Sequence, residues 1–252
     1  MNGKERLDSL KRQIEASRKT SVSELSETFH VTGETIRRDL DKLEQEGFVT
    51  RTHGGVVWNA DPLGGGMHFL RRKMKNPEAK REIAGKVYSL LESHKTIAAD
   101  SSTTVLESLR MLSSKSDLMV LTNSAVVSQD LADASFTILE TGGVFNARSL
   151  SYQGTLAKEN LKRYNVELAV ISCKGLMIDQ GVMDSYETEA EIKKVMLGQA
   201  REVALLADHT KFNQMAFVHL ADLDQINYIV TDRKPDEPWV EYCAEHGIRL
   251  IY

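Results

Sequence analysis

The chain has 252 residues, 41% of them hydrophobic and 27% charged, with a formal net charge of -4. That composition excludes a disordered polymer, and the negative balance excludes a molecule drawn to nucleic acid by its overall field, so any DNA binding must depend on where its cations point. No apolar run is long enough to span a bilayer and no signal-peptide stretch follows Met1, so a cytoplasmic location is expected; Cys173 and Cys243 give neither a disulfide framework nor zinc-ligand spacing, and neither metal nor cofactor is expected.

Residues 1–60 balance Lys and Arg against Asp and Glu, and the charge deficit lies in the remainder. Leu7, Leu10 and Ile14 recur at helical spacing and predict a first helix over 6–16, with Arg18-Lys19-Thr20 as its exit. Ser21-Val22-Ser23-Glu24 matches a capping box, in which the Ser21 hydroxyl accepts from the Glu24 amide and the Glu24 side chain reaches back. The helix that follows carries Leu25 and Phe29 inward and stops at His30-Val31, where Thr32 is placed to cap a third helix. In that third helix Ile36, Leu40 and Leu43 share one face, while Thr35, Arg37, Arg38 and Lys42 are left on the others. The outer face is therefore cationic and rich in donors, as a helix entering a major groove requires. Two short helices joined by a tight turn, the second one basic, have helix-turn-helix spacing. Gly47 suits a left-handed cap, and residues 48–58 read as a β-hairpin, or wing. Arg51 and His53 would there meet phosphates or a minor groove, although His53 reads equally well as an exposed turn residue. Ser21, Thr32, Thr35, Arg37, Arg38, Lys42, Arg51 and His53 are thus the candidate DNA-binding residues.

Ser-Glu-Leu-Ser at 23–26, Thr-Ile-Arg-Arg-Asp-Leu at 35–40 and His-Gly-Gly at 53–55 resemble the winged helix-turn-helix of the DeoR family of bacterial sugar-catabolism repressors. The match covers nearly all of residues 4–57.

Residues 59–66, with three consecutive glycines at 64–66, read as a hinge. Arg71, Arg72, Lys73 and Lys75 follow, a cluster that could touch DNA backbone, an anionic ligand or only solvent. Pro77 at a first helical turn, capped by Asn76, begins a helix whose Ile83, Val87 and Leu90 would form its buried stripe. Strands at 96–99, 118–121, 136–139, 166–171, 203–207, 228–230 and 249–251 then follow, the first three separated by helices at 103–112 and 125–131. Such alternation implies a largely parallel sheet covered by helices. The expected fold class is therefore α/β, with a winged helix-turn-helix domain at 1–58, a linker at 59–75 and a larger α/β sensor domain with a mostly parallel sheet at 76–252.

Ligands of such sheets gather beyond the carboxyl ends of the strands. There Asp100, Ser101, Ser102, Thr103 and Thr104 bring hydroxyls and free amides to the positive end of a helix, an arrangement suited to phosphate. Thr122, Asn123 and Ser124 repeat it after the second strand, Gly142-Gly143 follows the third, and Lys211 offers a cation after a later one.

Asp-Ser-Ser-Thr-Thr, Thr-Asn-Ser, Gly-Gly, Asp-His-Thr-Lys-Phe and Val230-Thr231-Asp232 resemble the sensor domain of the same family, which is similar in fold to ribose-5-phosphate isomerase. Many members carry Asp-x-Gly-Thr-Thr, and Ser102 stands here in the place of that glycine. The resemblance implies a phosphorylated sugar as effector, held at 100–104, with Asn123, Lys211 and Glu187 reading other parts of it, and Gly143 among the lining residues. Ser172-Cys173-Lys174-Gly175 resembles repressors of deoxy-hexose pathways, which implies a ketose 1-phosphate and adds Lys174 to the site. Cys173 itself reads as a packed strand-end residue, not a nucleophile.

An isomerase with a DNA-binding appendage is the rival reading. Aldose–ketose isomerisation needs a carboxylate base, which the related isomerases place after the strand corresponding to 166–171. Here that place holds Ser-Cys-Lys-Gly, with Asp179, Asp184 and Glu187 further on. A ligand-operated switch and not an enzyme is therefore expected, with double-stranded operator DNA and a phosphorylated sugar as partners and a homodimer or homotetramer as the assembly.

Overall fold

The computed structural model describes residues 3–45, 48–52, 55–58 and 67–252. Its contacts divide the chain into two compact units, Met1–Leu70 and Arg71–Tyr252.

The first unit runs α1 (Gly3–Ser17), β1 (Lys19–Ser21), α2 (Val22–Phe29), α3 (Gly33–Gln45), β2 (Val49–Thr52) and β3 (Gly55–Trp58). Leu10, Ile14, Leu25, Ile36, Leu40, Leu43, Val49 and Val56 are fully buried together, so the apolar stripe predicted for each helix is the core of this unit. The capping box at α2 forms as expected: Glu24 N donates to Ser21 Oγ at 3.1 Å and Ser21 N donates to Glu24 Oε2 at 2.8 Å. Thr32 caps α3, its Oγ1 accepting from Thr35 N at 3.3 Å. The stretch expected only as a helix exit instead pairs: β1 joins the hairpin in a sheet of order β1-β3-β2, with Thr20 opposite Val56. This explains Gly55, since a Cβ there would lie 2.4 Å from Thr20 O. Gly47, His53 and the hinge at 59–66 lie outside the described residues.

The second unit begins within α4 (Met67–Met74), a helix inside the stretch expected as linker. It continues through α5 (Pro77–Glu92), β4 (Thr96–Ala99), α6 (Thr103–Arg110), β5 (Met119–Thr122), α7 (Ala125–Asp130), β6 (Thr137–Glu140), β7 (Val144–Asn146), β8 (Ser151–Gln153), α8 (Gly154–Leu161), β9 (Val166–Ser172), β10 (Gly175–Met177), β11 (Gly181–Asp184), α9 (Glu187–Gly198), β12 (Ala200–Leu206), β13 (Val218–Ala221), β14 (Tyr228–Val230), α10 (Glu237–Glu245) and β15 (Arg249–Ile251). All seven predicted strands enter one parallel sheet of order β15-β14-β12-β9-β4-β5-β6. Connections run one way from β4 through β5 to β6 and the other way from β9 outward, so the order reverses between β4 and β9. That pair marks the switch point where open α/β sheets bind ligands. A small antiparallel sheet, β10-β11-β13, and the β7-β8 hairpin complete the unit.

Two local expectations are corrected. Asn76 flanks α5 but does not cap it with its side chain; it adopts the left-handed conformation (φ 48°, ψ 52°) and its amide turns to Asp208. Leu91, not Leu90, completes the buried stripe of α5. No described helix is long and apolar enough to cross a membrane.

Candidate DNA-reading helix and effector site

Helix α3 packs through Ile36, Leu40 and Leu43 and leaves Arg37 and Arg38 exposed, their guanidinium groups only loosely drawn to Glu34 at 3.8 and 3.5 Å. Exposed pairs of this kind contribute little and yield readily to a stronger anion. Lys42 is exposed on the same helix, and Thr35 is half-buried with its hydroxyl 3.0 Å from that of Thr32. Asp39 alone among the charged residues of this segment turns inward, where Arg6 Nε of α1 meets it at 2.6 Å. Hydrogen bonding to Asp39, and then its charge, raises the Arg6 pKa. This pair fixes the roll of α3 about its axis, so the cations face outward. Ser21 lies at the start of α2, its hydroxyl oxygen engaged by Glu24, and Arg51 lies in β2 opposite Val56.

The second site forms at the switch point. Asp100 closes β4, but it does not open toward a ligand as the sequence suggests. It is buried, its Oδ2 accepting from Ser172 N at the end of β9 (3.0 Å) and its Oδ1 from Ser102 N (2.9 Å). The reason is Lys193, a residue the sequence reading passed over. From α9 its ammonium reaches Asp100 at 3.0 Å, Asp184 at 2.6 Å and the Ser172 carbonyl at 2.6 Å, with all three side chains buried. Burial alone would raise the Asp184 carboxyl; the charge of Lys193, with Lys174 further off, reverses this and holds it below its ordinary range. Burial likewise pushes Lys193 down, and Asp184, Asp100 and Glu189 more than restore it. The triad fastens β4, β9, β11 and α9 into one frame.

Around this frame stand the remaining predicted residues. Ser101, Thr103 and Thr104 are buried at the start of α6, and Ser102 caps that helix by accepting from Val105 N at 3.3 Å. Ser102 has φ -80°, ψ 149°, an ordinary extended conformation, so the backbone does not require a glycine there. Thr122 is committed to structure, donating to Ala99 O at 2.7 Å and accepting from Ser124 N at 3.1 Å. Asn123 is stitched to β8, its Nδ2 donating to Tyr152 O at 3.0 Å and its backbone carbonyl accepting from Tyr152 N at 2.7 Å, while its buried Oδ1 has no partner among the described residues. Ser124 is buried at the start of α7. Gly143 stands at φ 116°, and a Cβ would fall 2.7 Å from Gln153 O, so here glycine is required.

Lys174 follows β9, half-buried, its backbone N donating to Met183 O at 2.9 Å and its ammonium without a hydrogen-bond partner among the described residues. Burial first, then the nearby Arg72 and Lys193 charges, pushes it down to about 8. Burial also pushes the neighbouring Cys173 thiol up to about 12, as befits a packed cysteine. Lys211 is placed by its neighbours: Phe212 packs edge-on against the buried Trp239 ring at 5.1 Å, and Trp239 Nε1 donates to Asn213 Oδ1 at 2.9 Å. Its ammonium lies 3.9 Å from Asp208 Oδ2, too far for a hydrogen bond and close enough for attraction. Glu187 opens α9 and is exposed, with no hydrogen bond or ion pair to the other site residues. Asp100 thus ties the 100–104 turn to the end of β9, which Lys174 follows; Thr103 meets Arg72, whose charge acts on Lys174; the charge of Lys211 reaches Cys173; Asn123 lies at the adjacent strand end, and Glu187 is exposed at the start of α9.

The sequence matches the DeoR-like helix-turn-helix domain over residues 6–61 and the DeoR C-terminal sensor domain over residues 75–233. It is 35% identical to the uncharacterised HTH-type transcriptional regulator YulB of Bacillus subtilis, over 91% of this chain and 88% of that protein. It is also 35% identical to the L-fucose operon activator of Haemophilus influenzae, over 92% of this chain and 93% of that protein. A solved D-ribose-5-phosphate isomerase in complex with phospho-erythronic acid shares 14% identity with a TM-score of 0.42, over 55% of each chain. A helix-turn-helix match, a sensor-domain match and relatives aligned over nearly their whole length agree: the chain belongs to the DeoR family of transcriptional regulators.

Proposed function

We propose that this regulator is a repressor of a sugar-catabolism operon that leaves its operator when a phosphorylated sugar fills the switch-point site. Two reading heads, at residues 1–58 of each copy in a homodimer or homotetramer, enter successive major grooves through Arg37, Arg38, Lys42 and Thr35, with Arg51 and His53 of the wing on the backbone. The linker is 59–75 and the sensor 76–252, and the protein works in the cytoplasm. The observation that supports the effector reading is that the α6 hydroxyl turn stands at the switch point beside the end of β9, which Lys174 follows, while Lys211 is held only by a 3.9 Å ion pair to Asp208. Asn123 Oδ1, a buried acceptor without a partner among the described residues, suits a sugar hydroxyl. The resemblance at 172–175 and the L-fucose operon relative favour a deoxy-ketose 1-phosphate.

The protein acts as a switch and not as an isomerase on this reading, because the two buried acids at the strand ends, Asp100 and Asp184, are held by Lys193. The relative named an operon activator supports a second polarity, in which the ligand strengthens DNA binding. Either polarity requires the ligand to prefer one arrangement of the chain over the other. A thermal-shift screen against sugar phosphates tests the site. A ligand at ~100 times its dissociation constant stabilises the native state by ~2.7 kcal/mol. One sugar phosphate is expected to raise the melting temperature, and the shift should vanish in Lys211→Ala. A panel without any hit would refute the effector reading, and conversion of any member by the purified protein would refute the switch.

A further inference from the structure

The last turn of α4 shares its hydrogen bonds with the effector site. The buried Lys80 ammonium of α5 donates to the carbonyl oxygens of Arg72, Lys73 (3.4 Å) and Lys75, so one side chain takes up three of the acceptors that a helix C-terminus leaves open. Thr103, in the hydroxyl turn, donates its Oγ1 to Arg72 O at 3.4 Å. Asn76 ends the segment in the left-handed conformation and donates its amide to Asp208 Oδ1 at 3.4 Å. Asp208 is the acid whose other oxygen lies 3.9 Å from Lys211. The boundary between the two compact units falls inside this helix, which runs without interruption from Met67 to Met74.

These contacts compete with a bound anion. A phosphate at Thr103 and Lys211 takes the Thr103 hydroxyl from Arg72 O and draws Lys211 from Asp208, so the hold on residues 72–76 changes with occupancy. We infer that the C-terminal turn of α4, from Arg72 to Asn76, is the element through which an occupied site acts on the DNA-binding domain, with Lys80 and Asn76 as its positioning residues. The inference rests on the effector reading above, and adds to it where the signal leaves the site.

Amide hydrogen exchange on the full-length protein, with inorganic phosphate as probe, tests both separately. Phosphate is expected to alter exchange at residues 100–105 and 208–212 and, with them, at 72–76. In Asn76→Gly, which keeps the left-handed backbone and removes only the amide, and in Lys80→Met, which removes the carbonyl cap, the response at 72–76 is lost while that at 100–105 persists. Should Lys80→Met fail to fold, Asn76→Gly decides alone. A response at 100–105 and 208–212 with none at 72–76 in the wild-type protein would overturn the inference and leave the site standing. An unchanged response at 72–76 in the variants would overturn the assignment to Lys80 and Asn76. No response anywhere would overturn the site reading, and the inference with it.

Discussion

Replacing Lys193 with Met is the sharpest test of how the sensor domain is held together. Met has a similar length and no charge, so the variant fills the space but leaves Asp184 and Asp100, both at most 1% exposed, without the ammonium at 2.6 and 3.0 Å. Removing one member of a buried, hydrogen-bonded charge cluster costs about 3–5 kcal/mol, chiefly because the remaining charge stays desolvated. For a domain of this size each kcal/mol moves the melting temperature by about 2–4 °C, so calorimetry should show the sensor transition falling by roughly 6–20 °C. The pH dependence gives a second check. Asp184 is lowered in the folded protein, so its contribution is present above its unfolded value near 3.8 and is lost as pH falls through the folded value. Lys193 is raised, so its contribution is complete below its unfolded value near 10.5 and is lost as pH rises through the folded value. The wild type therefore gains nothing from this triad on mild acidification, whereas Lys193→Met recovers part of its loss as the orphaned carboxyls take up protons. Adding Asp184→Asn should also restore part of it. A loss below about 1 kcal/mol, or one that Asp184→Asn leaves unchanged, would refute the argument and place the triad in contact with solvent.

Gly55→Ala should move β3 off β1, because the new Cβ meets Thr20 O at 2.4 Å; loss of DNA binding with an unchanged sensor melting transition is expected, and normal binding would refute the wing's dependence on that approach. Arg37→Ala or Arg38→Ala should cost roughly 1–3 kcal/mol of operator affinity and relax base preference if the residue reads a guanine edge, whereas an equal loss on random DNA with a shallower salt slope would assign it to phosphate. Lys174, pushed down to about 8, is charged below that pH, and a bound anion favours its charged form. Sugar-phosphate affinity should then be level below pH 8 and fall by up to about tenfold per unit above it. Lys80 is also pushed down to about 8, by burial first, so titration calorimetry of Lys174→Arg is the control: a fall that survives the substitution belongs to Lys80.

The strands of the sheet were legible because each is a short, largely apolar run, buried at the centre of the sheet though not at β6 and β15, and the turns after them because hydroxyls and glycines cluster there. What the sequence hid are the charged residues that point inward. Lys193 sits between Ile192 and Met196 on a helix whose spacing was there to read, and Lys80 lies beside Ala79 on α5; both are buried. A lysine in a helical pattern reads as a solvent-facing residue. Only the acids and carbonyls that neutralise it can say otherwise, and for Lys193 one of them, Asp100, lies far back in the chain at another strand end. The same ion pair turned Asp100 from an expected ligand into part of the frame. β1 and the β7-β8 hairpin escaped for a different reason: at three residues each they are too short to show a period, and their polar Lys-Thr-Ser and Ser-Tyr-Gln stretches lack the apolar residues that mark β14 and β15, so pairing makes them strands.

The distribution of charge around the switch point separates holding a ligand from transforming it. Proton transfer between sugar carbons needs a carboxylate free to take up a proton near neutral pH, and Asp184 is held the other way, locked in its charged form by Lys193. Not taken up by the triad are the hydroxyls of the α6 turn, the ammonium groups of Lys174 and Lys211, and the buried amide oxygen of Asn123. On the proposed reading such groups orient a phosphate and a hydroxyl, and the triad that engages Asp100 and Asp184 also ties the strand ends to α9. A frame tied in that way suits a sensor, because a ligand can shift an equilibrium only as far as its contacts differ between two states, and a yielding site would spread that difference over many small adjustments. On the proposed reading the free energy of binding is then left to the contacts that can exchange partners, namely Thr103 with Arg72 and Lys211 with Asp208.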